Sequence, residues 1–281
     1  MTTATAQPYD DFVAEARADS RVLVAVERAE SRAIVRLDDP PSLNALSAPL
    51  TLQLHDALRE LAGDPGLRSI VLTGTDPAFS AGGDLRLMEG YAHPVAEVAD
   101  EGTPALWRWI RGEFGGIARL IARTDKTFVA AVNGAAAGVG LAFALACDVI
   151  LVSDRARIVP AFGRIGLLPE VGNSWLLTRR LGYQGAYALF ASGRHLSGAE
   201  AHELGLANEL VEHDELLAAA RAWCERVDAL PDHVARMMKP LLRATADLSW
   251  EQAITMEEFA EPGCFTTRAH REAVRALVAR G

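Results

Sequence analysis

The chain has 281 residues, of which 50 % are hydrophobic and 23 % charged, with a formal net charge of −9. That length fits one large domain, or one domain with a smaller appendage. The negative balance argues against nucleic acid or an anionic membrane as partner, because both call for a positive field. Cys147, Cys224 and Cys264 are dispersed, with no metal-ligand spacing and no CxxC pair, and read as reduced core thiols; no metal is expected. The longest apolar candidate, Val129–Val152, is interrupted by Asn133, Asp148 and three glycines, short of the roughly 18 residues of a membrane span. The N-terminus has neither the basic nor the apolar region of a signal peptide, so cytoplasm is the expected compartment.

Residues 1–20 are polar and read as a loose extension. Val22–Val26 and Ala33–Leu37, parted by charged residues, predict a hairpin. After the loop Asp38–Ser47, Ser47 is a good helix N-cap, with Pro49 in the first turn and Leu50, Leu54, Leu58 and Leu61 at helical spacing. Ser69–Thr73 has the composition of a buried strand; Asp76–Gly83 predicts a tight loop and Asp84–Glu89 a restarted helix. His93–Pro104, with Pro94, Gly102 and Pro104, reads as a flexible connector. A helix follows at about 105–123, softened by Gly112, Gly115 and Gly116. Phe128–Val132 and Val149–Val152 predict strands around a small-residue helix at Gly138–Cys147, the grammar of a βαβ unit. From Asn173 onward the pattern is nearly all helical. Ser197 with Glu200 forms a capping box whose helix closes at Gly205, and helices of about 213–229, 232–247, 249–260 and 266–279 follow. A sheet-rich front and a helical tail give an α/β chain, α+β by layering.

Two glycine-rich turns bear on chemistry. Phe79-Ser80-Ala81-Gly82-Gly83-Asp84-Leu85 and Asn133-Gly134-Ala135-Ala136-Ala137-Gly138-Val139-Gly140 each lie between a strand and a helix. Small residues there let a ligand approach the main chain, and helix starts present free N–H groups. Two such N–H groups converging on one point make an oxyanion hole. Each turn taken singly is equally a tight turn required by backbone geometry. Neither fits a dinucleotide fingerprint or a P-loop.

An ordered set of motifs carries a resemblance. Leu43-Asn44-Ala45-Leu46, the two glycine turns, Ala146-Cys147-Asp148, Gly166-Leu167-Leu168-Pro169, Leu196-Ser197-Gly198-Ala199-Glu200-Ala201, Gly205-Leu206-Ala207 and the terminal Phe265…Arg271-Glu272 helix together resemble the crotonase (enoyl-CoA hydratase/isomerase) superfamily over roughly residues 20–280. The resemblance implies a spiral of ββα repeats in residues 21–204 after an extension at 1–20. It also implies a C-terminal helical region, 205–281, that assembles a homotrimer or a dimer of trimers. It implies an acyl-CoA thioester substrate, with coenzyme A as part of that substrate and no separate cofactor. The oxyanion donors fall on the N–H groups of Gly83 and Val139, where valine replaces the usual glycine. Coenzyme A is expected along Ser42, Asn44 and Ala45 and along Ala81, Gly82, Gly83, Asp84 and Leu85.

The departures bear on the reaction. Hydratases of the superfamily use two glutamates as acid and base. Gapless alignment from Asn133-Gly134 onward puts Ala142 and Phe162 at those places, and neither transfers a proton. One carboxylate remains: Glu170, after Pro169 and just before a helix, resembles the position where some isomerases of the superfamily carry an Asp or Glu. A double-bond shift needs one base to move a proton from C2 to C4, and a carboxylate in a dry pocket suits that task. Leu167, Leu168, Val171 and Trp175 are expected to supply the dryness. The expected function is therefore an enoyl-CoA isomerase using Glu170, Gly83 and Val139. Alternatives are an enoyl-CoA hydratase, a thioester hydrolase and a non-catalytic acyl-CoA binder. Asp84 reads as a helix N-cap rather than a base; His55, His93 and His195 as surface or connector residues; and Arg164 as a solvated charge. Glu89 and Glu97 are candidates for a second acid, and Trp107, Trp109 and Phe114 for the acyl pocket wall.

Overall fold

The computed structural model describes residues 8–97 and 102–279; residues 98–101 of the expected connector lie outside this range. The polar N-terminus is not loose where it is described. Tyr9–Arg17 forms helix α1, which buries Phe12 and Ala16 and carries the Arg17–Asp56 ion pair at 2.6 Å. Two apolar residues four apart suffice to dock a short helix, although the segment's composition is polar.

The hairpin forms as β1 (Val24–Ala29) and β2 (Arg32–Leu37), paired antiparallel. Helix α2 (Ala48–Gly63) starts where Ser47 accepts a hydrogen bond from the Leu50 N–H, and Leu50, Leu54, Leu58 and Leu61 are all buried. Then come β3 (Ser69–Gly74), β4 (Ala78–Ser80) and the single turn α3 (Leu85–Leu87). A π-helical turn, Met88–Ala92, leads into α4 (His93–Ala96). Helix α5 (Gly102–Trp109) passes through a second π-helical turn, Ile110–Phe114, into α6 (Gly115–Arg123). The described part of the expected connector is thus helical.

The spiral is explicit in the next elements. β5 (Thr127–Val132) joins one sheet, β6 (Ala135–Ala137) the other, and α7 (Gly138–Ala146) closes the turn. β7 (Val149–Ser153), β8 (Arg157–Val159) and α8 (Asn173–Ser192) repeat the step. With β9 (Leu196–Ser197) and β10 (Glu209–Val211), one sheet runs β1-β2-β3-β5-β7-β10 and the second β4-β6-β8-β9, so the β3–β4, β5–β6 and β7–β8 steps each contribute one strand to each sheet. Beyond the β1–β2 hairpin and the β8–β9 pair, the pairings are parallel.

Two short strands interrupt the helical tail. β9 (Leu196–Ser197) leads into α9 (Gly198–Glu203), where the Ser197–Glu200 capping box forms as expected. β10 (Glu209–Val211) extends the first sheet beside β7. Helix α10 (Leu216–Asp228) lays Leu216, Ala220 and Cys224 on Ile34, Val71, Val129, Ala131 and Leu151, covering that sheet's outer face. Residues on both sides of position 205 therefore share one packing unit. α11 (Asp232–Thr245) is pinned by Lys239, which donates to the Ile121 and Lys126 carbonyls and pairs with Asp148 at 2.8 Å. Asp148 also accepts from the Phe128 N–H and from Arg243, so its charge is taken up in structure. α12 (Trp250–Phe265) and α13 (Arg268–Val278) bury no residue and leave Trp250, Phe259, Phe265 and Leu277 exposed. Among the described residues no helix is long and apolar enough to cross a membrane.

Candidate active site

Both glycine turns sit at the same end of one pair of strands. β4 and β6 are parallel neighbours, and each runs straight into its turn. The turns touch. A methyl group built on Gly82, whose φ is +84°, would lie 2.6 Å from the Ala137 carbonyl oxygen, and one built on Gly140 would lie 2.6 Å from Ser80 Cβ. Only glycine permits contacts this close, so the small residues of the two motifs serve each other as well as any ligand. Gly83 and Val139 follow the touching residues Gly82 and Gly138. Val139 is the second residue of α7, whose first N–H groups have no intrahelical acceptor. Among the described residues neither the Gly83 nor the Val139 N–H meets a backbone acceptor outside regular structure.

The loop before α2 is stitched to the first turn. Leu46 N–H donates to the Gly82 carbonyl at 2.7 Å and Ala81 N–H to the Leu43 carbonyl at 2.9 Å. Ser42, Ala45, Ala81, Gly82, Gly83, Asp84 and Leu85, expected to hold coenzyme A, thus form one strip. Asn44 belongs to the strip but its side chain does not serve a ligand. It is fully buried, donating to the Thr75 and Ala78 carbonyls at 2.7 and 2.6 Å and accepting from the Asp39 N–H. With both donors and the acceptor engaged, it clamps two loops together. Ser42 hydroxyl is likewise turned inward, donating to Asp39. Asp84 caps α3 by accepting from the Arg86 N–H.

Gly83, Asp84 and Glu170 open into a common pocket of about 590 Å³. Its floor is the Gly166–Glu170 segment; its wall comes from the two π-helical turns, which contribute Met88, Tyr91 and Ala92 on one side and Ile110 and Phe114 on the other, with Trp109 between. π-Turns widen a helix locally and recur at functional sites. Val139 does not line this pocket; it lies buried beneath the turn. Phe162 is buried against the same turn, its ring 3.9 Å from where a methyl on Gly138 would be, and Ala142 is buried in α7.

Glu170 is half-buried, and its carboxylate has no ion pair or hydrogen bond among the described residues. Burial pushes its carboxyl above the usual range. Its backbone is held by Asn173, whose N–H and Nδ2 both donate to the Glu170 carbonyl, while Nδ2 also donates to the Gly138 carbonyl at 3.0 Å. One fully buried side chain therefore ties the carboxylate's segment to the second glycine turn. The dryness around Glu170 has a different origin from that expected: Leu167 and Leu168 line the pocket, but Trp175 and Val171 face a separate groove.

Of the other candidates, Trp109 and Phe114 line the pocket and Trp107 is largely exposed. Glu89 and Glu97 are exposed and line no part of the pocket. His93 stands exposed at the pocket rim, and His195 and Arg164 are exposed elsewhere. His55 is a correction. It is buried rather than on the surface, with Nδ1 2.7 Å from Glu113. Among the described residues no cluster of His, Cys, Asp or Glu could hold a metal.

A family model for enoyl-CoA hydratase/isomerase matches residues 27–279. The chain belongs to the enoyl-CoA hydratase/isomerase family. This family member is 31 % identical over 255 residues to a probable enoyl-CoA hydratase of Mycobacterium tuberculosis, covering 91 % of the chain and 94 % of the relative. It is 28 % identical over 244 residues to the 1,2-epoxyphenylacetyl-CoA isomerase of Escherichia coli, covering 87 % and 90 %. In structure it resembles a putative enoyl-CoA hydratase from Streptomyces coelicolor, with a TM-score of 0.83 and 28 % identity over 94 % of this chain and 95 % of that one. The spiral of ββα repeats that the resemblance implied is thus the enoyl-CoA hydratase/isomerase fold.

Proposed function

We propose that the protein is an acyl-CoA isomerase that moves the double bond of a 3-enoyl-CoA to the 2-position, with Glu170 as the only proton carrier. The observation that carries this reading is the Glu170 carboxylate itself. It opens into the same pocket as Gly83, without an ionic partner among the described residues, in surroundings dry enough to raise its proton affinity. The Gly83 and Val139 N–H groups polarise the thioester carbonyl. Glu170 removes a proton from C2, the negative charge spreads through a dienolate to the carbonyl oxygen, and Glu170 returns the proton at C4. Ala142 and Phe162, where the resemblance expects the hydratase glutamates, support a one-carboxylate reaction, and so does the named activity of the Escherichia coli relative. Coenzyme A follows the strip from Ser42 to Leu85. The exposed apolar residues of α12 and α13 are covered in a homotrimer or a dimer of trimers.

The test is conversion of a 3-enoyl-CoA to the 2-enoyl-CoA, followed by absorbance of the conjugated thioester, for wild type and Glu170→Gln. An undiminished rate in the variant removes Glu170 from the reaction. A second reading, hydration or thioester hydrolysis with Glu170 activating water, is favoured by the hydratase name of the Mycobacterium tuberculosis relative. Oxygen-18 from solvent enters the product of hydration or hydrolysis and does not enter that of isomerisation. Tight ester binding without turnover on a broad panel would identify a non-catalytic binder.

A further inference from the structure

Behind the aromatic wall of the pocket stands α1, a helix that precedes the family-matched residues 27–279. Tyr91, Trp109 and Phe114 line the pocket; Phe12 does not, yet it is buried directly behind them. The Phe12 ring is stacked on that of Tyr91 with centroids 3.8 Å apart, and it meets Trp109 edge-on at 5.3 Å. Trp109 in turn meets Phe114 edge-on at 5.9 Å. Buried tyrosines and indoles usually find a hydrogen-bond partner. Here the Tyr91 hydroxyl and the Trp109 Nε1 are both buried without one among the described residues. Among the described residues no polar tie fixes either ring, so packing, with the Phe12 ring in contact with both, holds their positions.

We propose that α1 is a plug and that Phe12, acting through Tyr91 and Trp109, sets the size of acyl group the pocket accepts. The proposal rests on the reading of this pocket as an acyl-CoA site. Close-packed interiors leave no slack, so removal of the Phe12 ring opens a void that Tyr91 or a longer acyl chain fills. The helix itself keeps other anchors when Phe12 is changed: Ala16 is buried, Arg17 pairs with Asp56, and Arg108 of α5 lies over the Tyr9 ring. Phe12 is thus a positioning residue whose effect is read in selectivity.

The experiment compares the affinities of butanoyl-, octanoyl-, dodecanoyl- and hexadecanoyl-CoA for the full chain by titration calorimetry, since saturated esters bind without turnover. Phe12→Ala should raise the ratio of long-chain to short-chain affinity by about tenfold or more, the discrimination that a small change in an apolar pocket typically brings. Phe12→Leu, which keeps an apolar anchor in α1, should move the ratio in the same direction by a smaller factor. A uniform weakening of all four esters, with the ratio unchanged in every variant that shows a cooperative thermal transition, overturns the proposal. Failure of wild type to bind any of the four overturns the acyl-CoA reading itself, and the plug with it.

Discussion

His55 donates a 2.7 Å hydrogen bond from Nδ1 to the carboxylate of Glu113, which sits in the π-helical turn that presents Ile110 and Phe114 to the pocket. Arg59 Nη2 lies 3.3 Å from the other ring nitrogen, so the network assigns the proton to Nδ1 and the lone pair to Nε2. A π-turn is a rare departure from the α-helix, and this cross-link from α2 holds it in place. Replacing either partner with alanine strands the other in a buried site, at about 1–3 kcal/mol. Urea unfolding of His55→Ala and Glu113→Ala measures this. The double variant should cost less than the sum of the two, and full additivity would show that the residues act independently.

On the proposed function, Glu170 governs the pH response. A general base works deprotonated, and burial raises the pH at which Glu170 loses its proton. Isomerisation should therefore fall off on the acid side at a pH above the roughly 4.3 of a free glutamate. Glu170→Gln should lose about a hundredfold or more in kcat and flatten that limb. Stability should move the opposite way. A folded-state value above the unfolded one means that the contribution of Glu170 to stability is complete below the unfolded value and is lost as pH rises through the folded one. Glu170→Gln should thus melt above wild type at neutral pH and level with it in acid. Parallel melting curves across that range would sink the claim that burial strains this carboxylate.

Asn173 ties the Glu170 backbone to the carbonyl just before Val139. Asn173→Ala should cost about 1–3 kcal/mol of stability, because the Glu170 and Gly138 carbonyls both lose the side-chain donor that joins them. Its clearer signature is kinetic. Misplacing a base by about 1 Å costs up to a hundredfold in rate, so kcat should drop while the affinity for a saturated acyl-CoA stays close to wild type. Equal losses in both would point to a collapsed pocket instead.

Gly82→Ala tests the contact between the two turns. The added methyl meets backbone at 2.6 Å, where no flexible side chain can yield, and φ is +84°. We expect at least about 1–3 kcal/mol of strain and loss of acyl-CoA binding as the turns separate. Gly63→Ala is the control. A methyl there meets nothing within 4 Å, so the variant should bind as wild type does.

What could be read from the chain depended on how far apart the deciding residues stand. Ser47 and the leucines of α2 announce that helix because cap and core face lie within one short segment. Glu170 stands out because it follows Pro169 in a recognisable motif. The pocket wall does not: Gly112, Gly115, Gly116 and Pro94 read as breakers, whereas the chain accommodates them in helices broadened by π-turns. His55 reads as a surface residue because its partner is 58 positions away. Helix α1 reads as loose because its buried residues, Phe12 and Ala16, find their partners only in the assembled wall. β9 and β10, two and three residues long, are too short to leave a periodic trace.

The pairing of β4 with β6 has a consequence for how such an enzyme changes over generations. The two N–H groups that the proposed function assigns to the thioester belong to the main chain just beyond this strand pair, so a side-chain replacement that keeps both turns keeps them. On the proposed function Val139 is an instance, a bulky buried residue of which the amide alone is asked to act. On the proposed function, the residues that handle protons carry no such protection. A lineage could then exchange one reaction for another by point changes at positions such as 142, 162 and 170, keeping its grip on the activated acyl group throughout.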